Sequence, residues 1–197
     1  GTGAFCSFDL TTGAANILAD TASLNAEMAM ACGGPAPTFD GPGFAFCPGD
    51  GVAPHTPCPY ANDNDGSMGG CYWGDAAFPG GGMLTATGSD DLLATDTVLV
   101  ATGVSNDFGL FFGADSREAG GNGSPLTDGL RCCGGNVVRF PLPAMKPTNN
   151  TATSDFIQIV DTGASIGSAR RYQYWFRTPG GPGGQSANLT NGYEIRW

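Results

Sequence analysis

Positive charge is missing from more than half of this 197-residue chain. Residues 1–116 contain no Lys or Arg and carry 13 acidic residues, whereas residues 117–197 hold all eight basic residues and five acids. Nucleic acids and anionic membranes require a concentrated basic face, so the net charge of −10 argues against both as partners. The unlike charge of the two halves favours attraction between copies of the chain. The alternative is that both signs intermix on one folded surface.

Charged side chains, histidine and long apolar runs are also scarce. Charged residues are 13% of the chain, about half the usual share, which excludes long surface helices rich in Glu, Lys and Arg. No run of 18 apolar residues occurs, so we expect no membrane span. The single histidine, His55, lies in a Pro-rich segment without a nucleophile motif nearby. We therefore expect a protein that is not an enzyme, although spatially paired carboxylates would leave no signal in one sequence.

Glycine and proline are abundant, with 33 and 14 copies, while hydrophobic residues still reach 41% of the chain. That hydrophobic content argues against disorder. After Gly82, short apolar segments alternate with breaks rich in Gly, Asn and Pro, as in antiparallel sheets. The predicted strands cover residues 83–87, 92–102, 108–113, 130–141, 155–161, 170–177 and 193–197. We predict an all-β fold, an antiparallel β-sandwich of the jelly-roll or immunoglobulin-like type.

An N-terminal extension, residues 1–43, is predicted to stand apart from a sandwich module over residues 44–197. Its apolar residues Cys6, Phe8 and Leu10 alternate with polar ones, which predicts a short strand with one apolar face. Further along the extension, residues 16–32 carry apolar side chains at roughly helical spacing among many alanines. They predict a helix, with a strand as the alternative.

Seven cysteines, in an acidic chain that begins at Gly1 without Met, indicate a secreted, extracellular protein whose signal peptide has been removed. A structural zinc site fits less well because no Cys-x-x-Cys spacing occurs. With an odd number, one cysteine is either buried and inert or bonded to another chain. Residues 44–82, rich in Cys, Gly and Pro, are predicted to be a loop stapled by disulfides. The candidate cysteines are Cys6, Cys32, Cys47, Cys58, Cys71, Cys132 and Cys133.

Two segments carry candidate ligand-binding residues. One face of the predicted strand 170–177 presents Gln173, Trp175 and Arg177, either as an exposed ligand or partner surface or with the tryptophan buried against the opposing sheet. The aromatic residues of its other face predict core. The glycine-rich loop 179–186 is a second possible ligand surface.

Calcium is the one cofactor that the sequence suggests. The run Asn-Asp-Asn-Asp-Gly at 62–66 is similar to the middle of a calcium loop, with Asp63 and Asp65 as candidate ligands and Asp50 or Asp75 as possible additions. No Glu stands at the twelfth position of such a loop. Metal-free Asx turns have the same composition, so both interpretations remain open.

Several unusual runs occur in a fixed order along residues 44–197. They are Phe46-Cys47-Pro48-Gly49-Asp50-Gly51, Cys58-Pro59, Asp128-Gly129-Leu130-Arg131-Cys132-Cys133-Gly134-Gly135, Tyr172-Gln173-Tyr174-Trp175-Phe176-Arg177 and Asn188-Leu189-Thr190-Asn191-Gly192-Tyr193. This part of the chain resembles a C-terminal β module of secreted proteins from environmental bacteria. The resemblance implies an extracellular domain, often joined to hydrolases or repeat domains, without an assigned activity. Where that module commonly reads Cys-Pro-Cys-Gly-Asn, Tyr60 replaces the second cysteine, which implies that Cys71 has lost its usual partner.

Two classes of function follow from these features. The first is a structural, self-assembling subunit of an extracellular filament, sheath or matrix. In such a homopolymer the segment of Cys6, Phe8 and Leu10 pairs with the sheet of the next copy, head to tail. The alternative is an attachment module of a larger secreted protein, binding glycan or a cell surface through Trp175 and its neighbours. We predict the first.

Overall fold

The chain divides into two compact units, Gly1–Asp40 and Gly41–Trp197. The computed structural model describes residues 6–8, 15–17, 42–140, 145–154 and 164–197. No helix in these ranges has the length and apolar character needed to cross a membrane.

The first unit contains an antiparallel hairpin of strands β1 (Cys6–Phe8) and β2 (Ala15–Ile17). Strand β1 coincides with most of the strand predicted from alternating apolar residues, while Leu10 lies outside the described residues. The first residues of the predicted helix belong to β2 and are extended, as in the strand alternative. Residues 18–32, the remainder of that helix, lie outside the described residues.

The second unit is built from antiparallel strands, with no α-helix among its described residues. A large sheet has the order β11-β6-β13-β15-β3, with β14 beside the end of β13, and a small sheet has the order β12-β5-β4. Strands β8 and β9 form one short pair, and β7 and β10 another. The strands are β3 (Phe44–Phe46), β4 (Met83–Thr87), β5 (Val98–Thr102), β6 (Gly109–Ala114), β7 (Ser116–Arg117), β8 (Ser124–Leu126), β9 (Gly129–Arg131), β10 (Cys133–Gly134), β11 (Val138–Arg139), β12 (Thr151–Thr153), β13 (Ala169–Arg177), β14 (Ala187–Leu189) and β15 (Gly192–Arg196).

The two sheets enclose one core of aromatic and aliphatic side chains. Alternation along β13 turns Tyr172, Tyr174 and Phe176 to the same face, and all three are fully buried. Leu84 of β4 and Leu99 of β5 belong to the same cluster from the opposite sheet. This arrangement confirms the predicted antiparallel β-sandwich and the core face of its longest strand.

Two predicted strands are shorter or more broken than expected. The strand predicted over 92–102 begins only at β5, because the Asp91 side chain accepts a hydrogen bond from the Leu93 N–H at 2.9 Å and the chain turns there. The segment 130–141 is divided among β9, β10 and β11. Gly135 adopts a φ of 76° and interrupts the extended backbone between β10 and β11.

The loop predicted over residues 44–82 has a strand at its start. The Phe-Ala-Phe run of β3 alternates and pairs with β15, so the prediction of a loop is wrong for these three residues. The remainder, up to Gly82, has no strand, as expected from its Gly and Pro content. Residues 155–161, another predicted strand, lie outside the described residues.

Two disulfides tie this loop to itself and to the sandwich. Cys58 is bonded to Cys71, and Cys47 to Cys132, 85 residues away. The first bond gives Cys71 a partner within the loop, while Tyr60 stands where the resembled module commonly has a second cysteine. Cys133 is free and buried, which matches the inert form of the odd cysteine. Two further cysteines have side chains outside the described residues, Cys6 and Cys32.

Candidate functional site

Gln173, predicted as part of an exposed ligand surface, is instead fully buried. Its side-chain oxygen accepts a hydrogen bond from the Cys132 N–H at 3.0 Å, and its amide donates to the Leu130 and Thr190 carbonyls at 2.8 and 2.7 Å. Both of its amide donors and its side-chain oxygen therefore have partners inside the protein. The outer face of β13 is covered at this position by β9 and the chain after β14, which the sequence pattern of one strand does not reveal.

Trp175 is half-buried and lines an apolar groove, here called the Trp175 groove, of about 440 Å³. The groove lies on the face of the large sheet opposite to the sandwich core, because alternation turns its β6 and β13 residues away from that core. Its apolar lining includes Leu126 and Val137, which are 40% and 46% exposed. The apolar side chains are Leu110, Phe112, Leu126, Val137, Trp175 and Leu189. Leu110 and Trp175 are half-buried, whereas Phe112 and Leu189 are buried in a second apolar cluster on this face. Solvent-facing sheet positions are normally polar, so the exposed and half-buried apolar residues make the groove a candidate interaction surface.

Two arginines complete the wall of the Trp175 groove, Arg131 and Arg139. Arg131 is paired with Glu118 at 2.9 Å, whereas exposed Arg139 has no ion pair within the described ranges. The third predicted member of this surface, Arg177, is exposed at the end of β13 and does not line the groove. The groove therefore combines an apolar floor with positive charge at its rim.

A second concavity, the Trp73 cleft, has a volume of about 740 Å³ and a mixed lining. It is formed where the loop after Cys71 meets the β5–β6 connection, the chain before β12 and the chain after β13. Sequence reasoning did not identify it, because its residues come from four loops. Six of its residues are Trp73, Asp75, Asn106, Asp107, Lys146 and Thr178.

Trp73 is held in one orientation by its surroundings. The indole N–H donates to the Gly103 carbonyl at 2.8 Å. The ring stacks nearly parallel to Phe78, with centroids 6.2 Å apart, and meets Phe176 of the core edge-on at 6.1 Å. The cleft thus has a rigid aromatic wall.

The predicted calcium ligands take part in local turns. The Asp63 carboxylate accepts a hydrogen bond from the Cys58 N–H at 2.9 Å, and the Asp65 carboxylate accepts one from the Ser67 N–H at 3.2 Å. Within the described part of the chain, no three His, Cys, Asp or Glu side chains gather as metal ligands. The Asp65 contact is that of an Asx turn, whereas the Asp63 contact closes a longer loop back to Cys58. Calcium binding here stays a prediction.

His55 lies beside Asp50, with its Nδ1 atom 3.0 Å from a carboxylate oxygen. No hydroxyl or thiol of the described residues is hydrogen-bonded to this imidazole. The free thiol of Cys133 is buried, and this burial raises its pKa, so the nucleophilic thiolate is disfavoured. The described residues therefore contain no assembled Cys-His or Ser-His device.

The glycine-rich loop 179–186 packs against the side chain of Asp128, which is fully buried. One carboxylate oxygen accepts a hydrogen bond from the Gln185 N–H at 3.2 Å. A Cβ atom added at Gly181 or Gly183 would lie 2.5 or 2.4 Å from a carboxylate oxygen. Glycine at Gly181 is therefore explained by close packing on Asp128, and glycine at Gly183 by close packing on both Asp128 and the Tyr60 ring, which is 2.1 Å from an added Cβ.

Glu194 forms a charge cluster that sequence reasoning also missed. Its side chain is 2% exposed and contacts Arg117 and Arg171 at 2.8 Å and Arg196 at 3.3 Å. The Arg117 guanidinium also stacks over the Phe46 ring, 4.7 Å from its centroid. Burial alone would raise the pKa of Glu194, but hydrogen bonds and charge from two of the arginines lower it below its ordinary value. The sequence signal that could have indicated this cluster was the carboxylate of Glu194 inside the predicted strand 193–197.

Two surfaces thus remain as candidates for binding, the apolar Trp175 groove and the mixed Trp73 cleft. They differ in chemistry, since the groove has an apolar lining with arginines and the cleft has an aromatic wall with carboxylates and an amine. Comparison of the chain with protein-family models, with curated proteins and with solved structures found no match.

Proposed function

We propose that this protein is a secreted, non-catalytic structural subunit that assembles head to tail into an extracellular homopolymer. In this proposal the N-terminal segment of one copy docks into the Trp175 groove of the next. The observation that carries the proposal is a partly exposed apolar groove with arginine at its rim. The two disulfides support an extracellular location, because such bonds persist in oxidising compartments.

The N-terminal segment matches the groove in both polarity and charge. Phe8 and Leu10 supply apolar side chains on one face of the predicted strand, and burying each contributes about 1.5–3 kcal/mol. Asp9 supplies negative charge, and no Lys or Arg occurs before Arg117 to oppose it. Complementary charge of this kind steers association and disfavours other registers.

A head-to-tail polymer follows from the geometry of such a contact. The docking segment and the groove are different surfaces of the same chain, so each copy offers one of each. A contact between unlike surfaces is heterologous and extends into a filament when its rotation does not close a ring. Growth then needs no second protein.

The test compares groove variants with a matched surface variant in the full chain. Leu126→Glu in the groove and Arg139→Glu at its rim should each yield monomers by light scattering and electron microscopy, whereas the wild type should form polymers. Leu93→Glu is the control, because Leu93 is 68% exposed and lies outside the groove. It should assemble like the wild type.

Deleting residues 1–10 should also leave a monomer, because the docking segment is then missing. Polymers that persist after this deletion, or in the Leu126→Glu variant, would exclude the docking contact. A wild-type protein that stays monomeric at high concentration would exclude self-assembly itself.

A further inference from the structure

The Trp73 cleft has the chemical features of a site for a hydroxyl-rich ligand. We propose that it binds a neutral glycan chain, a role that goes beyond self-assembly and uses a different surface. Ligand sites of this kind combine an apolar wall with a few polar groups that set the orientation. The cleft has both, and its volume of about 740 Å³ admits more than one sugar ring.

The aromatic wall suits the apolar face of a sugar ring. Trp73 lines the cleft, and its indole is held by the hydrogen bond to Gly103 and the stacking on Phe78. A pre-positioned ring loses little conformational entropy when a sugar packs on it. Sugar C–H groups carry partial positive charge, which the negative face of an indole attracts.

Polar groups around the cleft have capacity left for sugar hydroxyls. One carboxylate oxygen of Asp75 accepts the Ala77 N–H, and one of Asp107 accepts the Phe108 N–H. The second oxygen of each has no partner within the described chain. The hydroxyl of Thr178, which is 2% exposed, is buried without a hydrogen-bond partner among the described residues. Burying a hydroxyl without a partner is unfavourable, so a ligand hydroxyl or a water molecule in contact with it would be stabilising.

The charge of the cleft selects the class of glycan. Two carboxylates, Asp75 and Asp107, face one ammonium group, that of Lys146, so the lining is negative on balance. Lys146 is exposed and has no ion pair among the described residues. A negative lining repels uronic acids and sulfated sugars. Neutral hexose or N-acetylhexosamine chains avoid this repulsion and use the same donors and acceptors.

The experiment measures glycan binding by titration calorimetry with the full chain. The probes are cellohexaose, laminarihexaose and N-acetylchitohexaose as neutral chains, with an alginate hexamer as the anionic chain. At least one neutral chain should bind more tightly than alginate. Trp73→Ala should weaken that binding by roughly tenfold or more, and Asp107→Ala or Lys146→Ala by roughly three- to tenfold.

Two control variants change residues outside the cleft. Tyr60→Ala removes an exposed aromatic ring and is matched to Trp73→Ala, and Asp90→Asn neutralises an exposed carboxylate and is matched to Asp107→Ala. Both should bind the glycan as the wild type does. Because Trp73 also packs on the core, the exposed Lys146→Ala variant keeps the test valid if Trp73→Ala does not fold. The proposal is overturned if no neutral chain binds, if alginate binds better, or if Asp107→Ala and Lys146→Ala leave binding unchanged. Assembly is measured separately, so either proposal can fail without the other.

Discussion

Replacing Glu194 by glutamine should lower the free energy of unfolding by about 3 kcal/mol at pH 7. The carboxylate is 2% exposed and bonds to Arg117 and Arg171 at 2.8 Å. Removing one partner of a buried charge pair costs about 3–5 kcal/mol, and each hydrogen bond to a charged group contributes about 1.5–3. Glutamine keeps an acceptor oxygen, and Arg171 still donates to the Asp115 and Ala169 carbonyls, so we expect the lower end of that range.

The loss should depend on pH in a defined direction. The pKa of Glu194 is lower in the folded protein than in the unfolded chain. Its contribution to stability is therefore complete above the unfolded pKa of about 4.3 and declines as the pH falls through the folded value. Glutamine does not titrate. The difference in stability between the wild type and Glu194→Gln should then be largest at neutral pH and shrink below pH 4.

Urea denaturation at pH 7 and pH 3, with the disulfides intact, measures both effects. The matched control is Arg196→Ala, because that guanidinium is 74% exposed and 3.3 Å from the same carboxylate. Exposed pairs contribute about 0–1 kcal/mol, so the control should be close to the wild type. A loss below 1 kcal/mol for Glu194→Gln, or a loss equal at both pH values, would refute the role given to the cluster.

Three further predictions concern the loops and the sulfur chemistry. Cys58→Ala combined with Cys71→Ala should cost about 3 kcal/mol and speed hydrogen exchange in the loop between them before the sandwich; uniform acceleration would contradict this order. Peptide mass mapping after alkylation should find Cys133 unmodified in the native protein and modified in denaturant, because its thiol is buried; rapid native labelling would contradict its burial. Asn191→Ala should cost about 2 kcal/mol in denaturant titrations, because its amide bonds both main-chain groups of Leu84; an unchanged midpoint would exclude this contact.

The candidate surfaces were harder to predict than the strands. Trp175 was selected because it alternates with core residues, and it does line the Trp175 groove. Gln173 has the same alternation but is buried, because β9 and the chain after β14 cover it. Trp73 stands in a loop without periodicity, so no local pattern marked it. The arginines around Glu194 are up to 77 residues away from it in the chain, a distance that no spacing rule spans.

Residue order alone was enough to establish the all-β fold, the aromatic core face of β13 and the presence of disulfides. These features depend on side-chain alternation, on Gly and Pro breaks and on cysteine content, all of which act over a few residues. Only the folded structure decided three further features. These are the pairing of the cysteines, the outward faces that stay uncovered and the loops that meet around Trp73. Each of these depends on contacts between segments distant in the chain, such as Cys47 with Cys132, and packing sets those contacts.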